Sequence, residues 1–209
     1  LNNLWTTTLT GAQFKLVLEQ QWQRTIDGVP FTSGRTFLNL GLSDNVTYTY
    51  DPNRAMDDRV TGIFIDGQPI DMAQDYRIGS FSFLLEGGDN FWEFRNGTDT
   101  RDSGLVDRDA WIDYITANSP LSPSFARHAV QVTDVTAGPV APGDTVSLNV
   151  SKLDLTSLGS PANTELTLTW EGSSAVLGTV PVTAGAAAVT FTVPADASGP
   201  GTLVMTATP

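Results

Sequence analysis

The chain has no cysteine and a single histidine in 209 residues. Without thiols there is no disulfide scaffold, no thiol nucleophile and no Cys-ligated metal site. One imidazole, His128, leaves little room for a His-rich metal centre. Basic residues are also scarce, with 11 Lys+Arg against 23 Asp+Glu and a formal net charge of −12. That balance excludes the basic footprint needed to grip a nucleic-acid backbone, and it opposes docking on an anionic membrane. No apolar run approaches the roughly 20 residues of a membrane span. The sequence starts at Leu1, with no signal-peptide pattern, so the expectation is a piece of a longer protein. What remains, 40% hydrophobic and 16% charged residues, is ordinary globular composition.

That composition is not uniform. Residues 1–125 hold 9 Lys+Arg, 17 Asp+Glu and 17 of the 19 aromatics. Residues 126–209 hold 2 Lys+Arg, 6 Asp+Glu and only Trp170 and Phe191 as aromatics, in a background of Thr, Val, Ala, Ser, Gly and Pro. Two prolines, Pro120 and Pro123, interrupt any helix or central strand between them. The expected organisation is a first domain over 1–120, a linker over 121–126 and a second domain over 127–209. No internal repeat relates the two.

The first domain reads as α+β. Leu4 to Leu9 is a short strand, and Thr10 caps a helix with Gln13 at the capping-box position. Phe14, Val17, Leu18 and Trp22 fall on one face of that helix. Strands are expected around 35–40, 46–50, 59–65 and 68–82. Asp66-Gly67 marks a hairpin. A second helix is expected over 107–117, with Asp107 as N-cap and Trp111, Ile112, Tyr114 and Ile115 as its apolar side. Asp57 and Asp58 read as solvated loop residues. Asp99, Asp102, Asp107, Asp109 and Asp113 are rich in oxygen donors, but their spacing is not that of a Ca²⁺ loop; capping and solvation account for them.

The second domain reads as all-β, with strands at 128–135, 145–150, 164–170, 175–182, 187–193 and 202–207. Each is short and alternating, and turn residues such as Pro142-Gly143-Asp144, Gly159, Gly172 and Ala184-Gly185 break them at regular spacing. The expectation is an immunoglobulin-like β-sandwich without the disulfide of antibody domains.

The chemistry points to one segment, Phe83-Leu84-Leu85-Glu86-Gly87-Gly88-Asp89-Asn90-Phe91. An apolar strand is expected to run into this Gly-Gly-Asp-Asn loop. Gly87 and Gly88 let the backbone turn sharply or approach a ligand. Asn90 tolerates the left-handed conformation. Asp89 then presents a carboxylate that could accept two hydrogen bonds from a vicinal diol. The alternative is a capped turn in which the Asp bonds its own backbone.

With Leu9 to Gln20, Phe37 to Leu40, Val46 to Pro52 and Tyr76 to Phe91 in this order, the chain over residues 1–120 resembles the C-terminal domain of the 5′-nucleotidase family. Its relatives are secreted or surface metallophosphoesterases. The resemblance implies that Phe37 and Phe83 sandwich a nucleobase and that Asp89 holds the ribose hydroxyls. Gly87, Gly88 and Asn90 then shape the loop, with Asn90 where many relatives have Gly. Phe31 is a neighbouring alternative to Phe37. It also implies a preceding domain with two divalent metal ions, which performs the phosphate hydrolysis; this chain supplies no cofactor site of its own. The expected partners are a nucleoside or nucleotide and that N-terminal metallophosphoesterase domain, in a secreted or cell-surface protein of a Gram-positive-type bacterium. The competing reading is a cell-surface adhesion or spacer module with a vestigial nucleotide-binding fold.

Overall fold

The computed structural model describes residues 1–171 and 176–209. The chain forms two compact units: Leu1–Val46 with Arg54–Ser124, and Thr47–Asn53 with Phe125–Pro209. In chain order the first half runs β1 (Asn3–Thr10), α1 (Gly11–Glu19), β2 (Val46–Tyr50), β3 (Val60–Ile65), β4 (Gln68–Pro69), β5 (Asp75–Phe81) and α2 (Ser82–Leu85). Two 3₁₀ turns, Gly88–Asn90 and Trp92–Asn96, lead to β6 (Thr98–Val106) and α3 (Asp107–Asn118).

β1 is the centre of the antiparallel sheet β5-β1-β6. Its inward residues Thr7 and Leu9 are fully buried. Burying a threonine requires a partner, and the Thr7 hydroxyl finds the Thr100 hydroxyl at 2.8 Å. Leu9, Val17, Leu85, Phe91 and Phe94 form the core beside this sheet.

α1 starts where the sequence says. Thr10 Oγ1 accepts from Gln13 N at 3.2 Å, and Gln13 Oε1 accepts from Thr10 N at 2.9 Å. The two amides ahead of Gln13 find carbonyls in the loop before β5: Gly11 N donates to Gln74 O and Ala12 N to Met72 O, both at 2.9 Å. So the orphan donors of this helix end are satisfied by protein. The helix ends at Glu19, with Gln20 as C-cap, so Trp22 lies beyond it rather than on its face.

Several sequence expectations need correction. Residues 35–40 hold no strand, only a single bridge between Phe37 and Trp22. The expected strand over 68–82 is instead the short β4, a turn, β5, and then a helical turn beginning at Ser82. The Asp66-Gly67 hairpin forms, with φ of 52° and 78°, as a type I′ turn demands. β6 has no counterpart in the sequence reading. Asp57 is not simply solvated, because it pairs with the buried Arg24.

α3 differs in two ways. Its N-cap is Val106, and Asp107 is already helical. The Asp107 carboxylate instead accepts from Asn2 N at 2.9 Å and from Arg108 N at 2.7 Å. Trp111, Ile112, Tyr114 and Ile115 are all exposed, so the expected apolar side is not a core face. No helix among the described residues is long and apolar enough to cross a membrane.

The amides of Asn2 and Arg108 hold the Asp107 carboxyl below the usual aspartate range, the Asn2 amide having the larger effect. For Asp102, hydrogen bonds from Gly104 N and then Asn3 do the same. A lowered folded-state value means the stabilisation is present above the ordinary Asp pKa of about 3.9 and is lost as pH falls through the lowered value. Carboxyl NMR should therefore show both groups titrating below that range, and Asp107→Asn should remove part of the acid sensitivity of unfolding. Ordinary titration of both would contradict the hydrogen bonding described.

The second unit contains β7 (Ala129–Thr133), β8 (Thr145–Ser151), β9 (Glu165–Trp170), β10 (Val176–Pro181), β11 (Ala187–Thr192) and β12 (Leu203–Thr208). One sheet runs β10-β9-β12; in the other, β8 lies between β11 and β7. Residues 48–50 of β2 pair in parallel with β7, Tyr48 opposite Ala129 and Tyr50 opposite Gln131. Tyr48 is buried. Inward residues of both sheets, among them Val146, Leu148, Val150, Leu166, Leu168, Val189 and Phe191, share one core. The six strands expected here are present, and the alternating burial of β8 and β11 follows their period-two pattern. Gly172 and Ala175, expected in a turn and at a strand start, lie outside the described residues.

Candidate functional site

The site is built on the segment that follows α1. Residues 20–24 leave the helix as an irregular chain whose polar side chains turn inward. Gln21 is fully buried. Its Nε2 donates to Leu18 O at 2.9 Å and its Oε1 accepts from Leu40 N at 2.9 Å. Gln23 N donates to Thr36 O at 2.9 Å, Phe31 N to Gln23 O at 3.0 Å and Leu38 N to Gln21 O at 2.8 Å. A loop with no regular strand is thereby fixed over 31–40 by backbone and amide hydrogen bonds. Such satisfied buried polar groups specify one geometry.

Arg24 anchors the same segment from the other side. It is 7% exposed. Its Nη2 donates to Glu19 O at 2.8 Å, and its Nη1 pairs with Asp57. Glu19, fully buried at the end of α1, accepts from Val60 N at 2.6 Å. Both charged groups hold the chain through these bonds, while Glu19 Oε2 and Arg24 Nε are buried without a hydrogen-bond partner among the described residues.

Phe37 projects from the fixed loop. It is 42% exposed and meets Trp22 edge-on, with ring centroids 5.3 Å apart. Phe83 is 47% exposed. It sits on the helical turn α2, not on a strand as the sequence suggested. Neither ring is a core residue. The chain leaves α2 through its C-cap Glu86 and then Gly87 at φ 85°, the left-handed position after the cap that suits glycine. Gly88 follows directly under Phe83: a Cβ there would lie 2.5 Å from the ring.

Asp89 and Asn90 are both left-handed, with φ of 52° and 64°. Asn90 was expected there; Asp89 was not. Non-glycine residues in this region cost of order 1–3 kcal/mol each and persist where surroundings over-determine them. Part of that determination is visible, since Asn90 Nδ2 donates to Gln23 Oε1 at 2.8 Å. This bond ties the Gly-Gly-Asp-Asn turn to the segment that holds Phe37. Asp89 does not bond its own backbone as a simple capped turn would. Among the described residues its carboxylate accepts no hydrogen bond, and its charged neighbour is Arg35, at 3.7 Å.

The structure thus brings five of the six candidates onto one turn, residues 83–90. Phe37 is linked to it by two bridges, Gln23 to Asn90 and Arg35 to Asp89. Gln21, Gln23 and Arg35 were missed by the sequence reading. The glutamines carry no motif, and an arginine on a polar loop has no distinguishing pattern. An acceptor-only carboxylate can receive two hydroxyl donors, and an exposed aromatic ring offers a flat surface for stacking.

Residues 1–95, which include all six candidates, match the family described as 5′-nucleotidase, C-terminal domain. The silent protein UshA(0) of Salmonella typhimurium is 33% identical over 67 residues, 32% of this chain and 12% of that protein. The 5′-nucleotidase-related protein of Glossina morsitans morsitans is 30% identical over 125 residues, 55% of this chain and 21% of that one. The chain therefore spans about an eighth to a fifth of the length of these curated relatives. Among solved structures, a 5′-nucleotidase precursor from Thermus thermophilus aligns with 61% of this chain and 25% of its own, at 22% identity and a TM-score of 0.49. The NAD nucleotidase of Haemophilus influenzae aligns with 59% and 23%, at 20% identity and a TM-score of 0.43.

Proposed function

We propose that the first domain, residues 1–120, is the nucleoside-gripping part of an extracellular 5′-nucleotidase. Phe37 and Phe83 stack on the base, and Asp89 accepts hydrogen bonds from the ribose diol. The observation that carries this reading is Asp89. A carboxylate held in a costly backbone conformation, with no hydrogen bond among the described residues, stands on the same short turn as an exposed Phe83. Charge-assisted hydrogen bonds to such an acceptor are about twice as strong as neutral ones. Stacking on an aromatic ring is worth about 1–3 kcal/mol per base and tolerates different bases. The similarity of residues 1–95 to the 5′-nucleotidase C-terminal domain supports the same assignment.

The phosphate chemistry of such an enzyme calls for two divalent metal ions. This chain has a single histidine, and among the described residues no three His, Cys, Asp or Glu side chains are grouped to hold a cation. Its residues do not fit that centre, which we assign to a preceding metallophosphoesterase domain. The part played here is binding and orientation. Grip on the nucleoside accelerates hydrolysis only by placing the phosphate correctly. The second unit, with its two-sheet core and few charges, is read as an immunoglobulin-like spacer. Absence of cysteine suits an exported protein of a Gram-positive-type bacterium, secreted or held at the cell surface.

The test is calorimetry of the chain with adenosine at millimolar concentration. Phe83→Ala should weaken binding about tenfold, from the stacking range above, while its unfolding midpoint changes little, because the ring is half exposed. Equal affinity in the two proteins would remove the stacking role.

A further inference from the structure

We propose that Arg35 is a positioning residue for ribose recognition: it holds one carboxylate oxygen of Asp89 so that the other faces the diol. The proposal rests on the nucleoside reading above and goes beyond it, because Arg35 belongs to none of the candidate residues.

Three observations carry it. First, Arg35 Nη1 lies 3.7 Å from Asp89 Oδ1. That is ion-pair range but longer than a hydrogen bond of about 2.7–3.2 Å. The pair is loose enough for the carboxylate to keep its lone pairs for a ligand, and an ionised Asp has about four such sites. Second, neither side chain is committed elsewhere. Among the described residues, Arg35 makes no other ion pair and Asp89 accepts no hydrogen bond; both side chains are largely exposed, 65% and 44%. Arg24 differs, since its guanidinium is buried and its two Nη atoms are engaged by Glu19 O and Asp57. Third, both backbones are fixed independently of the pair. Arg35 stands between Gly34, at φ 71°, and Thr36, whose carbonyl is held by Gln23 N. Asp89 stands between Gly88 and Asn90, whose amide is held by Gln23 Oε1. One residue, Gln23, therefore sets the spacing of the two charges.

The physical consequence is orientational. The Asp89 carboxyl would otherwise rotate freely on an exposed turn. A guanidinium on the Oδ1 side biases that rotation and leaves Oδ2 to accept from a ligand. Arg35 also offsets the negative charge that would repel an anionic ligand. Because the pair is exposed, its effect is small in absolute terms: measured pairs of this kind correspond to a change of up to about fivefold.

The experiment compares adenosine with 2′,3′-dideoxyadenosine as ligands of the whole chain, by calorimetry or ligand-observed NMR. For the unaltered chain, adenosine should bind more tightly than the dideoxy ligand. Arg35→Ala should lower adenosine affinity about three- to fivefold and leave dideoxyadenosine unchanged. Arg35→Lys should restore part of the loss. In an Asp89→Asn background, Arg35→Ala should have no effect. A general distortion of the loop would weaken both ligands alike, and that outcome overturns the positioning role while leaving the nucleoside reading intact. So would unchanged or increased adenosine affinity in Arg35→Ala. Failure of the unaltered chain to bind either ligand would overturn the nucleoside reading, and this proposal with it.

Discussion

Gly11→Ala should destabilise the first unit by about 3 kcal/mol, at the upper end of what overpacking costs. The methyl group would stand 2.2 Å from Asp71 O, 2.9 Å from Asp71 C and 2.9 Å from Met72 Cα. All three are backbone atoms, so no side chain can swing away. Helix propensity alone argues the other way, because Ala is better than Gly by about 1 kcal/mol inside a helix. The clash should win, since relieving it means moving the loop whose carbonyls accept from Gly11 N and Ala12 N. Two amides would then lose partners at a buried helix end, each costing about 1–3 kcal/mol if left unsatisfied. Urea unfolding of the two proteins measures the difference. A stability equal to or above the unaltered chain would mean that the loop yields freely, against the packing described.

Gly88→Ala should combine a stability loss of about 1–3 kcal/mol with loss of nucleoside binding. Here the obstruction is mixed. The added Cβ would lie 2.5 Å from two ring atoms of Phe83 and 2.5 Å from the Phe83 carbonyl oxygen. The φ of Gly88 is not positive, so left-handed strain plays no part. The ring can rotate away, but only by leaving the place where it would stack; the carbonyl cannot. The double variant Phe83→Ala/Gly88→Ala separates the two effects. It should recover some of the stability lost in Gly88→Ala, because the ring clash is gone, and none of the binding. Full recovery of stability would show that the carbonyl contact carries no cost. Neighbouring sites of this kind are not additive, so the size of the coupling is itself informative. Binding is read with adenosine, as for Phe83→Ala, and unfolding with urea.

The parts of this fold that sequence made legible are those where a local pattern and the tertiary structure agree. Thr10 and Gln13 specify a capping box in any context, and the box forms. Asp66-Gly67 specifies its turn through backbone preference alone. In the second unit the alternation of Val146, Leu148 and Val150 needs only one buried face to become a strand. β6 is the opposite case. Thr98 to Leu105 are all exposed, so no hydrophobic period marks them. They are extended because β1 offers its free edge, a pairing that outweighs weak propensity. α2 is one turn long, too short for a helical period to register.

The candidate site divides in the same way. Gly87, Gly88 and Asn90 announce a turn by their residue types, and Asp89 is marked by its place among them. Phe37 and Phe83 are marked only by resemblance; as isolated phenylalanines they would be assigned to a core. The structure leaves both rings exposed. What joins them is hydrogen bonding from Gln21 and Gln23 to groups distant in sequence. Amide side chains follow no period, and their partners are set by the folded path of the chain. Arg35 is hidden for the same reason: its significance lies in what stands across from it.

The parallel pairing of residues 48–50 with β7 has a bearing on how the molecule can be dissected. Scissors applied at Pro120 would yield a C-terminal piece that has forfeited a strand encoded roughly seventy positions upstream. Its β7 would be left with one flank bare, and Tyr48 would go with the other piece. A bare strand flank invites self-association. Recombinant work on the second unit should graft that short stretch back, or expect clumping in place of a well-behaved monomer.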